Sequence, residues 1–173
     1  MFDKNIIIEG KHATFLEELD NQSFFGRIID IYMCAAVVGF RYNRRSKVDK
    51  SGIYKNQKKS IFAEQVLKES SNLTFIYRLI MLLHEQDILS LEERTKRAFK
   101  HDSSQELNEL HAENMKIFDS YVFGGIEVLY EKLAKEGITK EDYLANAYQF
   151  IIEQNIQKEP QSADDLIESD YLY

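Results

Sequence analysis

LTFIYRLIMLLH, residues 73–84, decides the fold: nine of the twelve residues are apolar, and Arg78 is the only full charge. No glycine or proline interrupts the run. A helix that is apolar on nearly every side belongs inside a bundle, where other helices cover it. The segment therefore predicts an all-α protein, a compact bundle of six or seven helices with this apolar helix at its centre.

The flanking sequence supplies the other helices. Upstream, a helix is expected from about Ser60 to Glu69. Before it, Ser23 precedes residues 24–40, in which Phe25, Ile28, Ile29, Tyr32, Ala35, Ala36 and Gly39 recur at three and four residues. The small middle of that helix, Cys34-Ala35-Ala36, and Gly39 near its end predict close approach by a second helix. A short helix from Ala13 to Leu19 lies further upstream, and Ile6-Ile7-Ile8 reads as a short extended arm or strand.

Downstream, Ser90 and Glu93 have the spacing of a capping box and open a charged helix ending near His101. A long helix runs from Ser103 or Ser104 to about Lys135, closed by Gly137. Thr139 opens a last helix to about residue 157, with Tyr143, Leu144, Ala147, Tyr148, Ile151 and Ile152 on one face. After residue 158 come Pro160 and five acids without a base, which reads as a solvated acidic tail.

A chain of 173 residues suits one domain, expected here over 1–157 with the tail at 158–173. One proline and seven glycines leave the helix formers in control. The lone Cys34 excludes an internal disulfide and fits a reducing compartment. The longest apolar run, Ile28 to Phe40, is short of the ~20 residues a bilayer needs and contains Asp30. Residues 1–9 lack a secretion pattern. A soluble, cytoplasmic protein without membrane contact is expected.

Charge is unevenly placed. Residues 41–59 hold Arg41, Arg44, Arg45, Lys47, Lys50, Lys55, Lys58 and Lys59 against the single acid Asp49, a local +7 in a chain of net charge −7. Cations after a helix end complement its dipole by at most about 1 kcal/mol each, too little to explain eight. Interleaved with Tyr42 and Tyr54, they suit a surface that follows phosphates and stacks bases. An acidic protein partner is another use, and a solvated loop bridged to the chain's own acids or its tail is the reading that needs no partner and stands slightly ahead of both.

Gly124 and Gly125 inside a strong helix cost about 2 kcal/mol relative to alanine, so something must approach that backbone closely. With Phe118 and Tyr121 they mark a helix-packing site or a partner notch. Catalytic readings are poor. Glu9-Gly10-Lys11-His12 is a single Glu-x-x-His where a di-iron bundle needs two. His111-Ala112-Glu113 lacks the later cysteines of a zinc deaminase, and His84-Glu85 lacks the second histidine of a zincin. An enzyme built on Glu109, His111 and Glu113 would need a metal. Cys34, in apolar surroundings, reads as an inert thiol. Neither a catalytic residue, a metal nor a cofactor is expected.

Several elements together resemble a known family: CAAVVGFRYNRR from Cys34 to Arg45, the Ile61-Phe62 helix entry, the apolar helix, and Phe118, Tyr121, Gly124, Gly125, Ile126 and Glu127. Over residues 24–133 the chain is similar to the small helical accessory proteins encoded beside DNA phosphorothioation (Dnd-type) systems. That resemblance implies a non-catalytic accessory or adaptor subunit of a prokaryotic DNA modification, restriction or phage-defence complex. Its partners would be larger subunits, with the basic segment meeting DNA or an acidic protein. The alternative is a protein-interaction module or homodimer that binds no nucleic acid.

Overall fold

The computed structural model describes residues 2–22, 24–100, 105–137 and 139–156. In chain order they form β1 (Ile6–Glu9), α1 (Lys11–Asn21), α2 (Ile28–Arg41), β2 (Lys58–Ile61), α3 (Ala63–Lys68), α4 (Ser70–Leu83), α5 (Leu91–Phe99), α6 (Gln105–Leu129) and α7 (Lys140–Ile156). A 3-10 turn at Gly52–Tyr54 and a π turn at Tyr130–Ala134 complete them. The expected helical bundle is observed. The acidic tail at 158–173, the helix start at Ser103 or Ser104, Ser23 and His101 lie outside the described residues.

The most extensive helix pair is α2 with α6, and small residues make it close. A methyl group on Gly125 would overlap the Ala35 carbonyl and come within 2.8 Å of Gly39 N; one on Gly39 would overlap the Tyr121 carbonyl. The guest anticipated at Gly125 is therefore α2. Beside this seam Phe118 is fully buried and its ring meets Phe2, Tyr77 and Tyr32 at 5.8, 5.9 and 6.3 Å. Burying each large side chain contributes about 1.5–3 kcal/mol, so this cluster locks α2, α4 and α6 together.

Helix α4 packs on both α2 and α6 through Leu73, Tyr77, Ile80 and Met81, all buried. Ile76 and Leu82 are partly buried beside them, whereas three further apolar residues face out: Phe75 is 66% exposed, and Leu79 and Leu83 are 40% exposed. Arg94 of α5 donates to the Leu82 carbonyl at 2.6 Å and caps the end of α4. The capping box that opens α5 is present, with Glu93 N donating to Ser90 Oγ at 3.2 Å and Ser90 N to Glu93 Oε2 at 3.0 Å.

The Ile6–Ile8 arm takes the strand form of its two readings, and two helix starts move downstream of those expected. The Ile6–Ile8 segment is a strand whose antiparallel partner is β2, with Ile6 opposite Ile61 and Glu9 opposite Lys58. The helix expected from Ser60 therefore begins at Ala63, because Ser60 and the buried Ile61 pair with the arm. The helix expected from Phe24 starts at Ile28, where Arg27 turns its guanidinium to Asp30 and Glu69 at 2.7 and 2.8 Å.

Candidate functional site

Between α2 and β2 the basic segment is a strap laid across the body of the protein. Tyr42 and Asn43 turn the chain, and residues 44–51 run without regular structure. Ser46 N donates to the Ser120 carbonyl at 2.9 Å, which ties the strap to α6. The Arg44 carbonyl rests where a methyl on Gly124 would be, so the strap is the guest at that glycine. Further on, Lys11 N donates to the Asp49 carbonyl at 2.8 Å and Gly10 N to the Gln57 carbonyl at 2.9 Å. Gly10, at φ 70°, turns β1 into α1 directly beneath Asp49.

The eight cations have different fates. Arg44 grips Glu131 with two bonds of 2.6 and 2.8 Å and reaches Glu127 at 3.1 Å. Lys50 and Lys58 both meet Glu9, the latter at 2.9 Å. Lys59 stands 3.6 Å from each of Glu17 and Asp20. Arg41 donates to the Gln154 carbonyl at 3.1 Å. Arg45 donates to Ser120 Oγ at 2.9 Å and lies over the Tyr121 ring at 5.6 Å. Lys47 and Lys55 are exposed and have no carboxylate partner among the described residues. Arg45 and Lys47 lie two residues apart on the strap, and Lys55 lies elsewhere. Arg45 sits on α6, whereas Lys55 follows the 3-10 turn whose Tyr54 leans on Phe15 of α1.

Glu127 is the hub that holds the strap. It is 7% exposed, and its Oε1 takes Lys11 Nζ and Ser46 Oγ, each at 2.8 Å, with His12 Nε2 at 3.1 Å. Burial would raise its pKa, but bonds from Lys11 and Ser46 and the nearby positive charge hold it at about 2. His12, fully buried against Phe123 at 4.9 Å, is pushed down by burial against the pull of Glu127. One carboxylate thus joins the start of α1, the strap and α6. In sequence, the only sign of this hub was an acid two residues beyond the glycine pair.

The other singled-out residues serve packing. Phe118 is core, Gly124 and Gly125 admit the strap and α2, and Tyr121 OH lies 3.0 Å from Nδ1 of buried His84. Glu9 and His12 belong to different partnerships, Glu9 with the lysines of the strap and His12 with Glu127. Among the described residues no three His, Cys, Asp or Glu converge as a metal requires, Glu109, His111 and Glu113 included. The Cys34 thiol is partly buried, which pushes its pKa up. Asp119 is raised to about 6 by burial, against the bond that Tyr32 OH donates at 3.4 Å.

The sequence reading did not anticipate an exposed apolar face. Phe75 and Leu79 of α4 line a groove of about 440 Å³ with Phe99 of α5. On its other side Phe75 borders a hollow of about 340 Å³ with Met33, Cys34 and Val37 of α2. The signal was already in LTFIYRLIMLLH, because a helix with this many apolar residues has more than one face to cover.

Fold and surfaces together define a small, mostly helical protein with an internally braced basic strap and an open apolar face. The profile of the family DNA sulphur modification system-associated protein 4 matches residues 6–169, and the chain belongs to that family, a component associated with DNA sulphur modification systems. The match extends past both ends of residues 24–133, on which the resemblance rested. No curated protein and no solved structure matches the chain. Among the described residues no helix is long and apolar enough to cross a membrane.

Proposed function

We propose that this chain is a non-catalytic accessory subunit that works by protein contact within a cytoplasmic DNA modification, restriction or phage-defence complex, without gripping DNA itself. The observation that carries the reading is the outward face of α4, where Phe75, Leu79 and Leu83 stand in solvent at four-residue spacing and Arg78 is the one charge lining the groove at Phe75 and Leu79. Apolar patches of this kind mark interaction surfaces. The strap supports the same reading from the other side. Arg44, Lys50, Lys58 and Lys59 meet carboxylates of their own chain, which leaves no continuous row of cations for a phosphate backbone.

A second reading keeps contact with DNA or an acidic protein through Arg45, Lys47 and Lys55, favoured by the absence of a carboxylate on any of the three among the described residues. Co-expression with the other components of the modification system separates the two. The tagged chain should retain at least one of those components through a wash in about 0.5 M salt, where phosphate contacts are weak. Loss of every component in that wash, or retention that nuclease abolishes, would refute protein contact as the mode of action.

A further inference from the structure

We infer that the α4 face receives an amphipathic helix from a partner subunit and that this helix carries a carboxylate opposite Arg78. The inference rests on the protein-contact reading and specifies its partner. Arg78 is the only charged residue lining either the groove or the hollow on the far side of Phe75. Its guanidinium carbon lies 5.0 Å from the centre of the Phe99 ring, and its Nε is buried without a hydrogen-bond partner. No carboxylate lies within ion-pair range of it among the described residues. A guanidinium held on an aromatic face beside an open groove, with no carboxylate of its own, suits an incoming anionic oxygen.

The walls define the rest of the ligand. Thr74, Phe75, Leu79, Leu82 and Phe99 bring mostly carbon to the groove, and Met33 and Val37 do so in the hollow. Phe75 divides the two, so the occupant needs an apolar side chain on either side of that ring. Helix α4 is 14 residues, about 21 Å long. A partner helix with apolar anchors at i, i+4 and i+7 spans about 10.5 Å, half of that length, and places its flank over Arg78. A single cation among apolar walls suits a carboxylate on a greasy helix and cannot track a phosphate backbone.

The test titrates the full chain with two labelled helical peptides, identical in their leucine anchors, one with Glu and one with Lys at the flank position. The Glu peptide should bind at least tenfold more tightly. That preference should invert in Arg78→Glu, and Leu79→Asp should abolish binding of both peptides. Melting curves establish that each variant is folded, and Arg78→Met, which keeps the apolar stem, should lose the preference for Glu. Equal affinities, no saturable binding, or indifference to Arg78→Glu would overturn the inference. Tighter binding after removal of residues 157–173 would identify the chain's own end as the occupant. A concentration-dependent dimer lost in Leu79→Asp would identify a second copy. Either result replaces the partner helix and overturns the inference as stated. Components that co-purify equally with wild type and Arg78→Glu would sink this face alone and leave protein contact standing.

Discussion

Replacing Gly125 by alanine tests the packing that positions every surface described above. The new methyl would overlap the Ala35 carbonyl oxygen, and the next atoms it meets are the Ala35 carbonyl carbon at 2.6 Å and Gly39 N at 2.8 Å. All are backbone atoms of α2, so no rotamer change relieves the overlap and the two helices must part. Overpacking of a core costs about 1–3 kcal/mol, and rigid neighbours put this site at the upper end. Alanine returns about 1 kcal/mol of helix propensity. The net loss is about 2 kcal/mol, or about 4–8 °C in melting temperature for a domain of this size. Gly124→Ala faces the Arg44 carbonyl of the strap, which can move, and should lose about half as much. Urea unfolding followed by circular dichroism at pH 7 measures both. A Gly125→Ala protein as stable as wild type would refute the close α2–α6 seam.

Three other outcomes follow from buried charge. Asp119 is raised from 3.8 to about 6, so the folded chain holds its proton through that window and stability falls as pH climbs across it. Asp119→Asn should gain about 2–3 kcal/mol at pH 7.5 and nothing below pH 4; identical urea midpoints at pH 7.5 would contradict this. Glu127 has the opposite sign. Its pKa, held at about 2 against 4.5, gives stability that is present above about pH 4.5 and lost as pH falls towards 2. Glu127→Gln should cost about 2 kcal/mol at pH 7, allowing for solvent screening, and acid unfolding of this variant should be flatter than wild type between pH 4.5 and 2. Arg44→Gln removes the bidentate grip on Glu131 and should speed tryptic cleavage after Lys47 or Lys55 severalfold; unchanged cleavage rates would show that the strap is held elsewhere.

Local patterning carried most of the helical architecture. Helices α2, α6 and α7 announced themselves through apolar stripes at helical spacing and α4 through its nearly unbroken apolar run, Ser90 and Glu93 fixed the start of α5, and Gly39 and Gly125 marked the tight seam. Strand β2 was hidden because its sequence, KKSI, has one apolar residue, Ile61, and its partner lies some fifty residues upstream. A ladder between distant segments leaves no periodic trace in either. The fate of the basic segment was hidden for the same reason. Composition reveals eight cations, but only the fold places Glu9 beside Lys50 and Lys58, and Glu131 beside Arg44. Arg78 read as an isolated charge in a core helix. Its meaning changes once α5 sets Phe99 beneath it and leaves its other side open.

The strap also explains why an acidic chain concentrates positive charge. With the segment folded onto Glu127, Glu131 and Glu9, cations and carboxylates of one chain stitch the β1–β2 ladder, α1 and α6 into a single body. That arrangement supports the proposal that recognition falls to α4.

Salt dependence of duplex DNA binding tests this division of labour most directly. Among the described residues Arg45, Lys47 and Lys55 are the strap cations that meet no carboxylate, so the log-log slope of affinity against salt should be no steeper than about −3, and Arg44→Glu with Arg45→Glu should make it shallower by no more than about one. A slope of about −4 to −5 that collapses in the double variant would contradict the account, because the strap would then release its own carboxylates to hold DNA.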